Sequence, residues 1–238
     1  MANGRFSHTA SWGKTVNILK RIVLFALAFS ALPAYADWSA EDEYACSDNV
    51  AGKFKYYALA LSWSPEFCRS HPGLRDEPQC RENRRFIVHG LWPQCENDAP
   101  RDCQDGGRPD RVDKRRIHAF MPSDYLIRHE WKAHGTCTAL SRSGYFELTE
   151  ALYRKLNLPG LAETAEAEEI ERLFMEKNPG LDDDEIVLSC GANGQRSSAQ
   201  TLDEVIVCFD RDTHAFTRCE SIRDTCRTQK TVTITGAR

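Results

Sequence analysis

Ten cysteines constrain this chain more than any other feature. They stand at positions 46, 68, 80, 95, 103, 137, 190, 208, 219 and 226, and none lies in the first 45 residues. An even set of cysteines behind a secretory leader reads as five disulfides formed in an oxidising compartment. The leader has the right parts. Arg5, Lys14, Lys20 and Arg21 form a positive n-region without an acid, Ile22 to Leu32 is an apolar run of 11 residues broken only by Ser30, and Ala34-Tyr35-Ala36 fits the small-x-small cleavage rule. That run is well short of the roughly 20 residues a membrane span needs. Residues 1–36 are therefore expected to be a signal peptide, cleaved after Ala36. The mature protein is expected to be periplasmic or secreted, with no stable membrane association. Zinc is the competing use of cysteine. The chain has no Cys-x-x-Cys pair and its closest cysteines are seven residues apart, which speaks against a structural zinc site.

The mature chain, 37–238, has 202 residues and suits one domain with a sizeable core. Removing the leader takes away four cationic residues and no acids. The 31 Lys+Arg become 27 against 35 Asp+Glu, a formal charge of −8. Broad affinity for phosphate comes from basic surface, so a general nucleic-acid binder is disfavoured. An enzyme that holds a few nucleotides in a local cationic cleft, and releases them quickly, remains compatible.

The chain shows no internal repeat and no low-complexity linker. Lys55–Trp63 alternates and is rich in aromatic and aliphatic residues, which predicts a strand. Phe86–Leu91 is a short apolar run and predicts a second, central strand. Ser64–Asn83, with Pro65, Pro72, Gly73 and Pro78, reads as a loop, and Glu96–Arg111 as another. A helix is expected to start at Ser123, an N-cap residue after Pro122, and to run to about Cys137. Gly144–Leu156 and Glu163–Lys177 predict two more helices. Val205–Phe209 and Ala215–Cys219 flank a turn-like segment and read as a hairpin, and Thr231–Thr235 as a terminal strand. The fold class is α+β, an antiparallel sheet packed with several helices.

Two short segments carry chemistry: Phe86-Ile-Val-His-Gly-Leu-Trp-Pro93 and His129-Glu-Trp-Lys-Ala-His-Gly-Thr-Cys137. Together they hold three histidines, a glutamate and an aromatic platform. One imidazole as base, one as acid and a ring to hold a nucleobase suffice to cut a phosphodiester without a metal. Helix geometry sharpens the second segment. At roughly 100° per residue, His129, Ala133, Glu130 and His134 span an arc of about 140°, while Lys132 lies about 160° from His134. A helix here aims two imidazoles and a carboxylate to one side. The histidines are five residues apart rather than four, so the zinc-protease spacing His-Glu-x-x-His is not met.

The two segments resemble the active-site segments of the T2 family of ribonucleases. The resemblance extends to Leu61-Ser-Trp-Ser-Pro-Glu-Phe-Cys68, Met121-Pro122-Ser123 and Val205-Ile-Val-Cys-Phe-Asp210. It implies a T2-like catalytic domain over 37–238 and an endoribonuclease acting on single-stranded RNA. Cleavage would proceed by transphosphorylation to 2′,3′-cyclic phosphate ends, then slower hydrolysis. By position His89 resembles the general acid, His134 the general base, His129 the phosphate-holding histidine and Glu130 the carboxylate assisting phosphate activation. Trp92, Gln94, Pro122 and Ser123 resemble substrate-binding positions. No cofactor or metal is implied. DNA lacks the attacking 2′-hydroxyl and should not be cut, and a monomer is expected. Ten cysteines allow roughly 945 pairings by sequential counting. The resemblance implies Cys46–Cys95, Cys68–Cys80, Cys103–Cys137, Cys190–Cys226 and Cys208–Cys219.

The chain departs from the family pattern at two places. The family usually carries lysine directly before the last histidine, and here Ala133 stands there, with Lys132 one residue early. Gln94 occupies a position where many members carry aspartate, which leaves base preference open. Two other classes therefore stay in view: a catalytically impaired T2-like RNA-binding or signalling protein, and a secreted metal-dependent hydrolase.

Overall fold

The computed structural model describes residues 46, 49–103, 112–191, 200–226 and 231–236. The leader, the 36/37 boundary and positions 104–111 of the second loop lie outside the described residues. A six-stranded sheet organises the rest. It comprises β1 (Tyr56–Trp63), β2 (Phe86–Gln94), β3 (Thr164–Glu166), β4 (Ile186–Gly191), β5 (Gln200–Asp210) and β6 (Thr231–Thr233), in the order β2-β1-β5-β6-β3, with β4 also on β5. Every pairing is antiparallel except the two-residue contact of β5 with β6.

The alternation in β1 divides the sheet's two faces. Tyr57, Leu59, Leu61 and Trp63 join the main core, while Tyr56, Ala58 and Ala60 join a smaller cluster with Ile206 and Cys208 of β5. The helices α3 (Lys114–His118), α4 (Asp124–Ala133), α5 (Arg142–Lys155) and α6 (Ala167–Lys177) contribute Ile117, Ile127, Tyr145, Phe146, Ile170 and Phe174 to that main core. The smaller cluster leaves the other face open at the end carrying Ser62 and Glu204.

Several expected elements take a different form. Ser64–Asn83 is not a loop but holds α1 (Ser64–Ser70), a 3₁₀ turn (Pro72–Leu74) and α2 (Pro78–Arg81). Its prolines start these elements, because Pro lacks the N–H that the first turn would leave unpaired. The helix of the second motif stops at Ala133. His134 is its C-cap, with φ −125°, and a 3₁₀ turn follows over Gly135–Thr138. The expected hairpin is cut to its tip, where Ala215–Cys219 makes one antiparallel bridge, Phe209 to Phe216, with the N–H of Asp210 donating to the Ala215 carbonyl and that of Thr217 to the Cys208 carbonyl. Sheet crowding explains this: β1 takes one edge of β5 along Glu204–Asp210, and β4 takes the other along Thr201–Val207. The third helix begins at Ala167 rather than Glu163, because Thr164–Glu166 pairs with β6. Strand β4 was not anticipated.

Five disulfides close in the structure: Cys46–Cys95, Cys68–Cys80, Cys103–Cys137, Cys190–Cys226 and Cys208–Cys219. The third ties the segment after β2 to the turn after α4.

Candidate active site

Two local devices bring the motif residues together. The first is a β-bulge. Val88 pairs with Leu61 and Gly90 with Ala60, so His89 is the extra residue of β2. A bulge re-aims a side chain and shifts the alternation beyond it. Here it lets Phe86, Val88 and Leu91 all enter the main core, leaving His89 half-buried on the open face. The second is Gly90. A Cβ there would lie 1.9 Å from Oε2 of Glu130 and 2.5 Å from Nε1 of Trp92. Only glycine lets the carboxylate approach the strand.

Helix α4 supplies the facing side. Ser123 caps it, accepting the N–H of Leu126 at 3.3 Å. Glu130 is buried and forms the hub. Its Oε2 accepts the indole N–H of Trp92 at 2.8 Å. Its Oε1 lies 3.6 Å from Nε2 of His89 and 3.9 Å from Nε2 of His129, and its Oε2 lies 4.0 Å from Nε2 of His134. One carboxylate thus touches the surroundings of all three motif histidines. The Trp92 ring lies 5.2 Å from the His89 ring and 5.6 Å from the His134 ring, centroid to centroid. It walls the histidine cluster.

The two inner histidines are pushed in opposite directions. Burial drives the His134 imidazole down to about 3, and the charges of Arg101, His89 and His129 act the same way. Its Nδ1 has no hydrogen-bond partner among the described residues. For His89, burial also favours the neutral form, but the hydrogen bond and charge of Glu204, with the charge of Glu130, outweigh it and raise the imidazole above its ordinary value. Burial raises the Glu130 carboxyl against the pull of His89, Trp92 and His129. One imidazole is held neutral and the other favours its cation, which is what an acid–base pair requires.

The remaining positions divide. A cleft of about 610 Å³ opens beside the cluster, lined by Ile87, His89, Ser123, Tyr125, Leu126 and His129 among others. Tyr125, the most exposed large hydrophobic side chain among the described residues, stacks on the His129 ring at 5.9 Å and 10°. Ser123 thus borders the cleft as well as capping α4. Pro122 is buried beside it. Gln94 is buried at the far end of β2, where its Oε1 accepts from Ser221, itself bonded to Tyr56. Five residues at about 3.3 Å each put it some 16 Å along the strand from His89.

Lys132 is exposed, whereas Ala133 is buried and its carbonyl accepts the N–H of Asp102 at 2.9 Å. This bond and the Cys103–Cys137 disulfide hold Arg101 beside the position where the family carries lysine. Three contributors were missed from sequence: Arg101, Tyr125 and Glu204. Nδ1–H of His89 donates to Oε1 of Glu204 at 2.5 Å.

A model of the ribonuclease T2 family matches residues 54–219, 166 of the 238 residues. This chain belongs to the ribonuclease T2 family. Among curated relatives it is 44% identical over 110 residues to a ribonuclease of Aeromonas hydrophila, covering 46% of this chain and 50% of that protein. It is 38% identical over 128 residues to a probable ribonuclease of Haemophilus influenzae, covering 47% and 46%. The chain spans about half the length of these two relatives. The fold is similar to that of ribonuclease MC1 from bitter gourd seeds, with a TM-score of 0.61 at 22% identity over 76% of this chain and 100% of that one. The T2 family match begins at Phe54, ahead of β1, and ends at Cys219, so both motif segments and β5 lie inside it.

Proposed function

We propose that this T2 family member is an endoribonuclease of the periplasm or cell exterior that cleaves single-stranded RNA without a metal. The attacking group is the RNA's own 2′-hydroxyl. His134, neutral at its buried position, takes that proton. His89, favoured as a cation, gives a proton to the departing 5′-oxygen. A 2′,3′-cyclic phosphate results, and slower hydrolysis opens it to a 3′-phosphate. His129 and Glu130 hold and polarise the phosphate, with Trp92 as the wall behind it. The cleft beside His89, bordered by Ser123 and Tyr125, takes a flanking nucleoside, while Gln94 and Pro122 remain candidates at greater distance. Residues 1–36 are removed as a signal peptide, and the mature protein acts as a monomer that leaves DNA intact.

The observation that carries this reading is the opposed protonation preference of two imidazoles sharing one buried carboxylate. Crystal structures of ribonuclease MC1 mutants in complex with 5′-UMP and 5′-GMP give the substrate class further support. The test is a digest of RNA and DNA by the mature protein with EDTA present. Cyclic-phosphate ends from RNA alone are expected. Products with only 5′-phosphates, DNA cut at a similar rate, or zinc-dependent activity would contradict the proposal. A folded protein with no activity would favour a binding or signalling role.

A further inference from the structure

Glu204 lies outside both motif segments, 70 residues beyond His134. It stands in β5, opposite Ser62 of β1, which in turn pairs with Ile87 of β2. Register therefore lines up Glu204, Ser62 and the start of the His89 bulge across three strands. The face they share is otherwise apolar: Tyr56, Ala58 and Ala60 on β1, Ile206 and Cys208 on β5. Two polar residues interrupt it side by side. Ser62 Oγ donates to Oε1 of Glu204 at 2.7 Å, and Nδ1–H of His89 donates to that same oxygen at 2.5 Å. A carboxylate on Nδ1 leaves Nε2 of the imidazole facing Glu130 and the cleft.

We propose that Glu204, steadied by Ser62, is the positioning residue that fixes the ring orientation of His89 and holds it as the imidazolium that protonates the leaving group. This deepens the ribonuclease reading and rests on it. In the step, Nε2–H of His89 passes to the 5′-oxygen as the P–O5′ bond breaks. His89 is left neutral with its Nδ1–H still on Glu204. The glutamate takes no proton and touches no substrate. A carboxylate behind an imidazole orients it and stabilises its charged form in this way.

The charged groups facing His89 come from two elements. Glu204 reaches it from β5, Glu130 from α4, and His134, at the end of α4, is the neighbour its charge disfavours. Asp203 adjoins Glu204 in a bulge of β5. Burial pushes the Asp203 carboxyl up to about 6, with Glu66 and Glu204 adding to the rise. Asp203 and Glu204 face a second hollow, of about 660 Å³, shared with Arg69 and His71. Because Glu204 carries the hydrogen bonds of His89 and Ser62, its own carboxyl is held below the ordinary range despite burial.

The test uses Glu204→Gln in the full mature protein, with two substrates. One is a dinucleoside phosphate that the wild type cleaves. The other is the matching nucleoside 3′-(4-nitrophenyl phosphate), whose leaving group departs without a proton. On the first, kcat should fall by about 10- to 100-fold, a part of the roughly 10²- to 10⁴-fold that a general acid supplies in full, with KM little changed. The basic limb of the pH profile should move down by about one pH unit or more. On the nitrophenyl ester the loss should nearly vanish. Glu204→Asp should keep the basic limb near its wild-type position, and Ser62→Ala should shift it less than Glu204→Gln.

Equal losses on both substrates would overturn the inference, since that is what a merely structural glutamate would give. NMR titration of His89 adds a readout independent of turnover. Its midpoint should lie above the ordinary 6.5 and fall in Glu204→Gln. An unchanged midpoint overturns the inference even in an active enzyme. A shifted midpoint in a wild type that cuts no RNA overturns the ribonuclease reading and leaves the His89–Glu204 coupling standing.

Discussion

Gly90→Ala tests the architecture of the site with one methyl group. The new Cβ would sit 1.9 Å from Oε2 of Glu130, 2.5 Å from Nε1 of Trp92 and 2.8 Å from Cδ of Glu130. Comfortable heavy-atom separation is roughly 3.5 Å, so the carboxylate must retreat by about 1.6 Å. Glu130 is buried and cannot swing into solvent. Moving it breaks the bond from Trp92 and changes its distance to all three histidines together. Overpacking costs about 1–3 kcal/mol, and an unsatisfied buried polar group about 1–3 kcal/mol. Both describe the same displacement, so a total near 2–4 kcal/mol is expected from these two sources. At about 2–4 °C per kcal/mol for a domain of this size, Tm should drop by some 4–16 °C. The rate should suffer more, because a 1 Å misplacement costs on the order of 10²-fold. Calorimetry and steady-state cleavage of a dinucleoside phosphate measure the two effects. Gly160→Ala is the control, as nothing lies within 4 Å of a Cβ at that position. Gly90→Ala activity within threefold of wild type would show that Glu130 does not work from the position described here.

Other perturbations give separable outcomes. For the free enzyme, kcat/KM should rise along an acidic limb near the His134 value of about 3 and fall above the ordinary histidine value as His89 loses its proton; a rising limb at pH 6–7 would contradict a neutral, buried His134. The same two groups act oppositely on stability. The raised His89 contributes below its unfolded value near 6.5 and loses that contribution as pH climbs through its folded one, whereas the depressed His134 costs stability as pH falls from 6.5 towards 3, which NMR-detected unfolding across pH can separate. Arg101→Gln should lower kcat/KM by up to about 10²-fold as a lost phosphate cation, and Ala133→Lys should recover more rate in that background than in the wild type; equal effects in both would remove Arg101 from the site. Replacing Cys103 and Cys137 together by serine should cost about 2–4 kcal/mol and reduce activity beyond what that loss explains, read as kcat/KM measured well below the variant's own Tm.

Some of this arrangement is legible in the residue order and some is not, for physical reasons. Glu130 and His134 come from one short segment whose helical spacing puts them on one arc, whereas His89 and Trp92 stand three apart in β2, where alternation alone would send them to opposite faces. The early end of α4 is less readable. His134 continues a helical pattern, and its departure to φ −125° follows from the tight turn at Gly135, where a Cβ would strike the Trp131 ring at 2.4 Å. The His89 bulge has no sequence marker beyond Gly90. Glu204 depends on register among three strands, which no local pattern encodes. A faint signal existed: Ser62 and Glu204 are the polar positions on strand faces where alternation calls for apolar side chains. The shortened hairpin has the same origin, since which edges of β5 are free is a property of the assembled sheet.

The acidity of residues 37–238, a formal −8, looks ill suited to the polyanionic substrate proposed above, and the site itself holds Glu130 and Glu204. The geometry reconciles the two. Glu130 and Glu204 both lie within reach of His89, so their charges favour a proton on that ring. The two carboxylates favour His89 as a local cation while His134 stays neutral, and Arg101 adds a charge from the adjoining segment. The cleft can then hold one phosphate without a basic surface around it. The gain from counterion release grows with the number of phosphates neutralised, and log K falls against log salt with a slope of about −0.7 per phosphate for single strands. A site that engages one or two phosphates therefore gains little from a long strand and releases its products easily, which suits turnover better than retention.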